Sequence, residues 1–137
     1  MNMSSKLNLI SGVHHVAIIC SDYERSKKFY TELLGFPIVH EAYREDRRSW
    51  KLDLDAGGGV QIELFSFAAP PKRLTRPETC GLRHLSLRVE DIDSVIEHLA
   101  AQGVAVEPVR IDEFTGARFA FFADPDDLPI ELYDSGD

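Results

Sequence analysis

Two short stretches of this chain repeat each other at a distance, and that repetition restricts the fold more than any other feature. "HVAIICSD" begins at His15 and "HLSLRVED" begins at His84. Each opens on a histidine, runs apolar in the manner of a strand, and reaches an aspartate seven residues later, Asp22 and Asp91. A helical segment follows each. In "SDYERSKKFYTELLG", Ser21 and Glu24 have the spacing of a capping box, Phe29, Leu33 and Leu34 are apolar, and Gly35 is the stop. In "EDIDSVIEHLAAQG", Asp91 is the expected N-cap, Ile92, Val95, Ile96 and Leu99 form the apolar stripe, and Gly103 is the stop.

Three strand-like runs come after each helix. In the first half they are "PIVHEAYR", "SWKLDLD" and "VQIELFSF", with "AGGG" as the turn before the last. In the second they are "AVEPVRI", "ARFAFFAD" and "PIELYD", with "DPDDL" as the turn. Both halves read βαβββ. The expected fold is α+β: two tandem βαβββ modules, over 12–67 and 83–134, whose curved mixed sheets form a cleft. The Pro-rich basic stretch at 68–82 is expected to be a linker without a domain of its own.

The last strand of each half places an acid between apolar neighbours. Glu63 lies between Ile62 and Leu64, and Glu131 between Ile130 and Leu132. The spacing from histidine to glutamate is 48 residues in one half and 47 in the other. Alternate strand residues face opposite ways, so the isoleucines and leucines pack under the helices and the acids face the other side. A lone strand glutamate is ordinarily solvated and a lone histidine ordinarily structural; matched repetition of both argues for a shared task. If a pseudo-twofold relates the modules, His15, Glu63, His84 and Glu131 could meet around one point. Imidazole and carboxylate are good ligands for divalent transition metals, and two of each leave positions for a chelating substrate. His14 is the alternative to His15, but the register with Asp22 selects His15 and expects His14 on the opposite face. His40 and His98 have no counterpart in the repeat.

Composition excludes several classes. A chain of 137 residues with 44% hydrophobic and 28% charged residues is one domain's worth of globular protein. A net charge of -8 argues against nucleic acid as partner. No apolar run has the length to cross a bilayer, and "MNMSSKLNLISG" shows no signal-peptide pattern. Two cysteines, Cys20 and Cys80, make no disulfide framework, so reduced thiols in a cytoplasmic protein are expected.

From about Gly12 to Tyr133 the sequence resembles the vicinal oxygen chelate superfamily. That superfamily includes glyoxalase I, fosfomycin-resistance thiol transferases, extradiol dioxygenases, methylmalonyl-CoA epimerase and bleomycin-binding proteins. The resemblance is carried by "HHVAIICSDYERSKKFYTELLGF", "GLRHLSLRVEDID" and "FFADPDDLPIELYD". His15, Glu63, His84 and Glu131 match the His/Glu/His/Glu pattern of glyoxalase I, whereas the epimerase has Gln where this chain has Glu63. The resemblance implies one divalent metal ion per chain (Ni, Zn, Co, Mn or Fe) and a lactoylglutathione lyase-type reaction. In that reaction a proton moves on a chelated small molecule, such as the hemithioacetal of a 2-oxoaldehyde and a thiol. It also implies a homodimer in which His15 and Glu63 of one subunit meet His84 and Glu131 of the other, and a catalytic base at Glu131, with Glu63 mainly holding the metal. The other chemistries of the superfamily (epimerase, thiol transferase, dioxygenase) and sequestration of a small molecule are the alternatives.

Departures from the glyoxalase pattern bear on the thiol. The position four residues after the first histidine, an Arg in bacterial glyoxalases, is Ile19. The stretch after Glu63 reads "LFSFAAPPKR", the loop before the last hairpin reads "DEFTGAR", and the usual Asp-Pro-Asp-Gly turn reads Asp124-Pro125-Asp126-Asp127. Metal chemistry carries over, but glutathione does not. Arg44, Arg47, Arg48, Arg73, Arg76 and Arg118 are candidate anchors for an anionic group.

Overall fold

The computed structural model describes residues 9–136. The first eight residues of the stretch read for a leader therefore lie outside the described ones. Strand β1 (His15–Cys20) leads into helix α1 (Tyr23–Lys28), which runs on as a π-helical turn over Phe29–Leu33. Strands β2 (Ile38–Arg44), β3 (Ser49–Asp55) and β4 (Gln61–Ser66) complete the first unit. The second unit comprises β5 (Leu85–Arg88), α2 (Ile92–Ala101), β6 (Arg110–Ile111), β7 (Arg118–Ala123) and β8 (Pro129–Asp134). The strands form two four-stranded mixed sheets of the same topology, β1-β4-β3-β2 and β5-β8-β7-β6. In each, the first strand runs parallel to the last, and the remaining pairs are antiparallel. This is the α+β arrangement of tandem βαβββ modules read from the repeat.

Local chemistry explains most element boundaries. Helix α2 starts at Asp91, whose carboxylate accepts from the Ser94 N–H. Helix α1 is capped by Asp22, which accepts from the Arg25 N–H at 3.2 Å. The expected capping box at Ser21 is therefore displaced by one residue. Ser21 is otherwise engaged: its N–H donates to Asp126 Oδ2 at 3.0 Å and its hydroxyl donates to the other oxygen of the same carboxylate. Gly35 and Gly103 take φ values of 80° and 82° just past the helices, where a side chain would be strained. Strand β6 is shorter than the sequence suggests, with only two residues of the "AVEPVRI" run paired as strand. Pro108 has no N–H to give to the ladder, and Glu107 makes an isolated bond to the Phe121 carbonyl at 2.8 Å.

The core lies on the helix side of each sheet. Ile62 and Leu64 of β4 are at most 1% exposed, as are Ile130 and Leu132 of β8. Leu52 and Leu54 of β3 pack with the first pair, and Ile92 and Leu99 of α2 belong to the same continuous core. Burial of several full-size aliphatic side chains, at about 1.5–3 kcal/mol each, is the main force holding the helices on the sheets.

The units are joined by contacts between the first helix and the β7–β8 turn. Tyr30, completely buried, donates its hydroxyl to Asp124 Oδ2 at 2.8 Å. The other oxygen of Asp124 accepts from the backbone N–H groups of Asp126 and Leu128, both at 2.8 Å, and so shapes the turn. Burial drives the carboxyl of Asp124 upward from its ordinary range and drives the Tyr30 hydroxyl upward as well. The His98 ring reaches the Leu33 carbonyl at 3.0 Å, and Phe29 lies against Phe122 with ring centroids 6.2 Å apart. Both histidine and phenylalanine contacts thus span the two units.

Tyr30→Phe would keep the ring and strand one buried oxygen of Asp124. It is expected to lower stability by about 1–3 kcal/mol, the cost of a buried acceptor left unpaired. Urea denaturation of both proteins measures this.

Candidate functional site

The same alternation that buries Ile62 and Leu64 turns Glu63 to the face of the first sheet away from its helix. Strand register extends that face across the sheet: Glu63 stands opposite Asp53 on one side and Ala17 on the other. His15, two residues before Ala17, shares the face, and its Nε2 lies 3.5 Å from Glu63 Oε1. In the second sheet Glu131 stands opposite Phe121 and Ser86. His84, two residues before Ser86, brings its Nε2 to 3.6 Å from Glu131 Oε1. The two halves thus build the same histidine–glutamate pair to within 0.1 Å. Each glutamate side chain is only 10–13% exposed, while the histidines are more open, at 41% and 30%.

The two pairs remain separate within one chain. Among the described residues no three histidine, cysteine or acidic side chains converge as a metal site. Each pair presents one imidazole and one carboxylate, a donor set suited to half of a four-ligand site for a borderline divalent ion. Two such pairs would supply the full set. His15 begins β1 and His84 immediately precedes β5, and both strands are edge strands with a neighbour on one side only.

His14 does not lie on the opposite face as expected. Its carbonyl still accepts from the Gln61 N–H at 2.9 Å, but its ring turns back toward His15 until the two Nδ1 atoms are 2.9 Å apart. One Nδ1 donates to the other, which leaves Nε2 of His15 directed at Glu63. His40 stands across from Asp53 in the β2–β3 ladder, and His98 is used in the contact with Leu33. Neither cysteine is near a ligand pair. Burial pushes the Cys20 thiol up to about 11, which makes it unreactive.

The surroundings of the two glutamates differ. Beside Glu63 stands Lys51, whose Nζ is 2.6 Å from Asp53 Oδ1 and 3.7 Å from Glu63 Oε2. Among the described residues no lysine or arginine forms an ion pair with Glu131. Its neighbours are aromatic: Phe121 meets the His84 ring edge-on at 5.1 Å, Phe119 packs at 6.1 Å, and Arg110 covers both rings. A cleft of about 520 Å³ opens beside His84, lined among others by Phe121, Arg110, Thr75, Arg76 and Arg83. The last three belong to the segment joining the units and its continuation, so this segment forms a wall of the cleft. It is held there by Thr75, which donates to the Asp127 carbonyl at 2.8 Å, and by Arg73, which donates to the Leu82 carbonyl at 2.6 Å.

Sequence reasoning did not single out Lys51, Asp53, Phe119, Phe121 or Arg110. For Lys51 and Asp53 a signal was present, because they alternate with Leu52 and Leu54 and so share the face of Glu63. For Phe119 and Phe121 none was, because their neighbours Ala120 and Phe122 are apolar too.

Known proteins agree with this architecture. Residues 12–132 match the Glyoxalase/Bleomycin resistance protein/Dioxygenase superfamily. An uncharacterized Bacillus subtilis protein, YwkD, is 55% identical over 126 residues, covering 92% of this chain and 98% of its own. A 2-epi-5-epi-valiolone epimerase from Actinomyces is 33% identical over 141 residues, covering 88% of this chain and 77% of its own. The crystal structure of a glyoxalase family protein from Enterococcus faecalis superposes with a TM-score of 0.83 at 45% identity, over 90% of this chain and 98% of that one.

Proposed function

The chain belongs to the Glyoxalase/Bleomycin resistance protein/Dioxygenase superfamily, and from that premise we propose that it is a metal-dependent lyase or isomerase of glyoxalase I type. It acts on a small oxygen-chelating molecule, including the adduct of a 2-oxoaldehyde with a thiol. The observation that carries this reading is the duplicated His–Glu pair: His15 with Glu63 at 3.5 Å and His84 with Glu131 at 3.6 Å, each on the open face of its sheet. We further propose a homodimer in which the first pair of one subunit meets the second pair of the other. The position of both histidines at sheet edges supports this, because an edge is where another chain can complete the site. The exposed free thiol of Cys80 fits a cytoplasmic, reducing location.

In this reading His15, Glu63, His84 and Glu131 would hold one divalent ion. When bound, such an ion supplies Lewis-acid polarisation of two neighbouring substrate oxygens. The chain's own contribution is proton transfer. Glu131 takes a proton from the carbon beside the polarised carbonyl and returns it to the adjacent carbon, which isomerises the substrate. Its surroundings suit this role: Phe121 stands opposite it in the ladder, and among the described residues no lysine pairs with its carboxylate. Glu63, within 3.7 Å of the Lys51 ammonium, is the more restrained of the two. Return of the proton to the same carbon from the other side would be epimerisation. The 33% identity to the valiolone epimerase favours that as the second reading.

Three outcomes test the proposal. Calorimetric titration of the protein with Ni, Co, Mn or Zn should give one ion per chain. His15→Ala and His84→Ala should each weaken binding by at least the ~10–100-fold typical of losing a supporting partner, with His14→Ala costing less. Binding should also fall in mildly acid solution, where protons compete for imidazole and carboxylate. A protein that takes up none of these metals, nor Fe(II), contradicts the metal-dependent reading and favours sequestration.

Sedimentation should give a dimer; a monomer with full metal occupancy contradicts the shared site. Metal-loaded protein screened against methylglyoxal with several thiols should then reveal turnover. On the substrate so found, Glu131→Gln should cost about 10²-fold or more in kcat, the scale of general-base catalysis. Glu63→Gln should cost less, and the reverse order would remove the base from Glu131.

A further inference from the structure

The arginines named as anion anchors are held in quite different ways. Arg118 clasps Asp93 through two hydrogen bonds of 2.9 and 3.0 Å. Arg73 is spent on Thr75 and on the carbonyls of Leu82 and Arg83. Arg47 and Arg48 lie in the exposed turn between β2 and β3, and Arg76 lies exposed in the segment between the units.

Arg44 differs from all of these. It stands opposite Ser49 in the β2–β3 ladder, in the same face-sharing set as Lys51, Asp53 and Glu63. Its guanidinium carbon lies 4.8 Å from the Phe65 ring centre and 6.0 Å from that of Phe67. Nη2 donates to Ser49 Oγ at 2.9 Å. Nε is buried and has no hydrogen-bond partner. No described carboxylate forms an ion pair with this side chain. The neighbouring cation, Lys51, already has Asp53 at 2.6 Å. A part-buried guanidinium with no acid beside it is costly unless something negative completes it. The Phe65 ring and the Ser49 hydroxyl hold the guanidinium in place, and its planar fork suits the flat, two-oxygen edge of a carboxylate or phosphate.

We propose that Arg44 is the anchor for an anionic group on the substrate, so that the substrate is a small carboxylate or phosphate ester carrying its chelating oxygens elsewhere. Phe65 follows Glu63 by two residues on the same face, which is about 7 Å along the strand. The anionic group therefore sits about that far from the oxygens that face Glu63, a separation spanned by a short carbon chain. This narrows the reading above and rests on it for where the chelating oxygens lie.

The test uses the full-length protein loaded with Mn(II) and paired probes that differ in a distal anion. One arm compares dihydroxyacetone phosphate with dihydroxyacetone, and the other compares 2-oxoglutarate with 2-oxopentanoate, both by calorimetry. The charged member should bind about tenfold or more tightly in one arm, the order of a charge-assisted contact, and that arm identifies phosphate or carboxylate. Arg44→Gln should abolish the preference, Arg44→Lys should keep part of it, and Arg118→Gln should leave it intact. Thermal melts of each variant exclude loss of fold as the cause. Equal binding within both pairs, no binding of any probe, or a preference that survives Arg44→Gln overturns the proposal. If the wild type takes up none of Ni, Co, Mn, Zn or Fe(II), the metal reading fails by itself. Inorganic phosphate titrated into metal-free protein then decides on Arg44: weaker binding by Arg44→Gln supports the anchor, and equal binding overturns it.

Discussion

Each of the two glutamates is aimed by the apolar residues on either side of it. Ile62 and Leu64 are sealed against the helix side of the first sheet, Ile130 and Leu132 against that of the second, and none is more than 1% exposed. With those four side chains fixed, the intervening carboxylates have one direction left to point. A one-residue slip of β4 or β8 would put an acid into the core and two aliphatic side chains on the open face, at a cost of several kcal/mol. The burial that stabilises the fold and the presentation of the acids are therefore a single constraint. The histidines follow from it, because parallel pairing of β1 with β4 and of β5 with β8 sets each of them beside its glutamate.

Duplication supplies two similar His–Glu pairs, and the differences between their surroundings give each a separate character. The first is charged, with Lys51 and Asp53 beside Glu63 and Arg44 further along the face. The second is aromatic, with Phe119 and Phe121 beside Glu131 and a linker-walled cleft next to His84. Joined across a subunit boundary, they would hold a small polar molecule between a charged wall and an apolar one. The Tyr30–Asp124 hydrogen bond ties the two units of one chain together at a point away from either pair.

Much of this was legible in the sequence because it depends on periodicity. The two βαβββ halves, the strand containing "SWKLDLD", and the opposite facing of Glu63 and Ile62 all follow from alternation and from matched spacings. The misreadings arose where tertiary contacts override local pattern. Ser21 has the form of a helix cap, but Asp126, more than a hundred residues away, takes its hydroxyl, and Asp22 caps instead. His14 was assigned a face by alternation, yet its ring bends back to meet that of His15. The segment at 68–82 reads as a linker by composition, and composition does not show that Thr75 bonds the Asp127 carbonyl or that Thr75 and Arg76 line the cleft beside His84. The aromatic face of β7 was hidden because both of its faces are apolar.

The central claim is that one working site is divided between two chains. Mixing two inactive double variants tests it directly. One carries His15→Ala with Glu63→Ala, and the other carries His84→Ala with Glu131→Ala. Alone, neither should bind a divalent ion tightly. Unfolded together and refolded, they should form mixed dimers with one intact set of four ligands, and calorimetry should recover one tight ion per mixed dimer. No recovery of tight binding, from variants that fold and dimerise, would contradict a site shared between subunits.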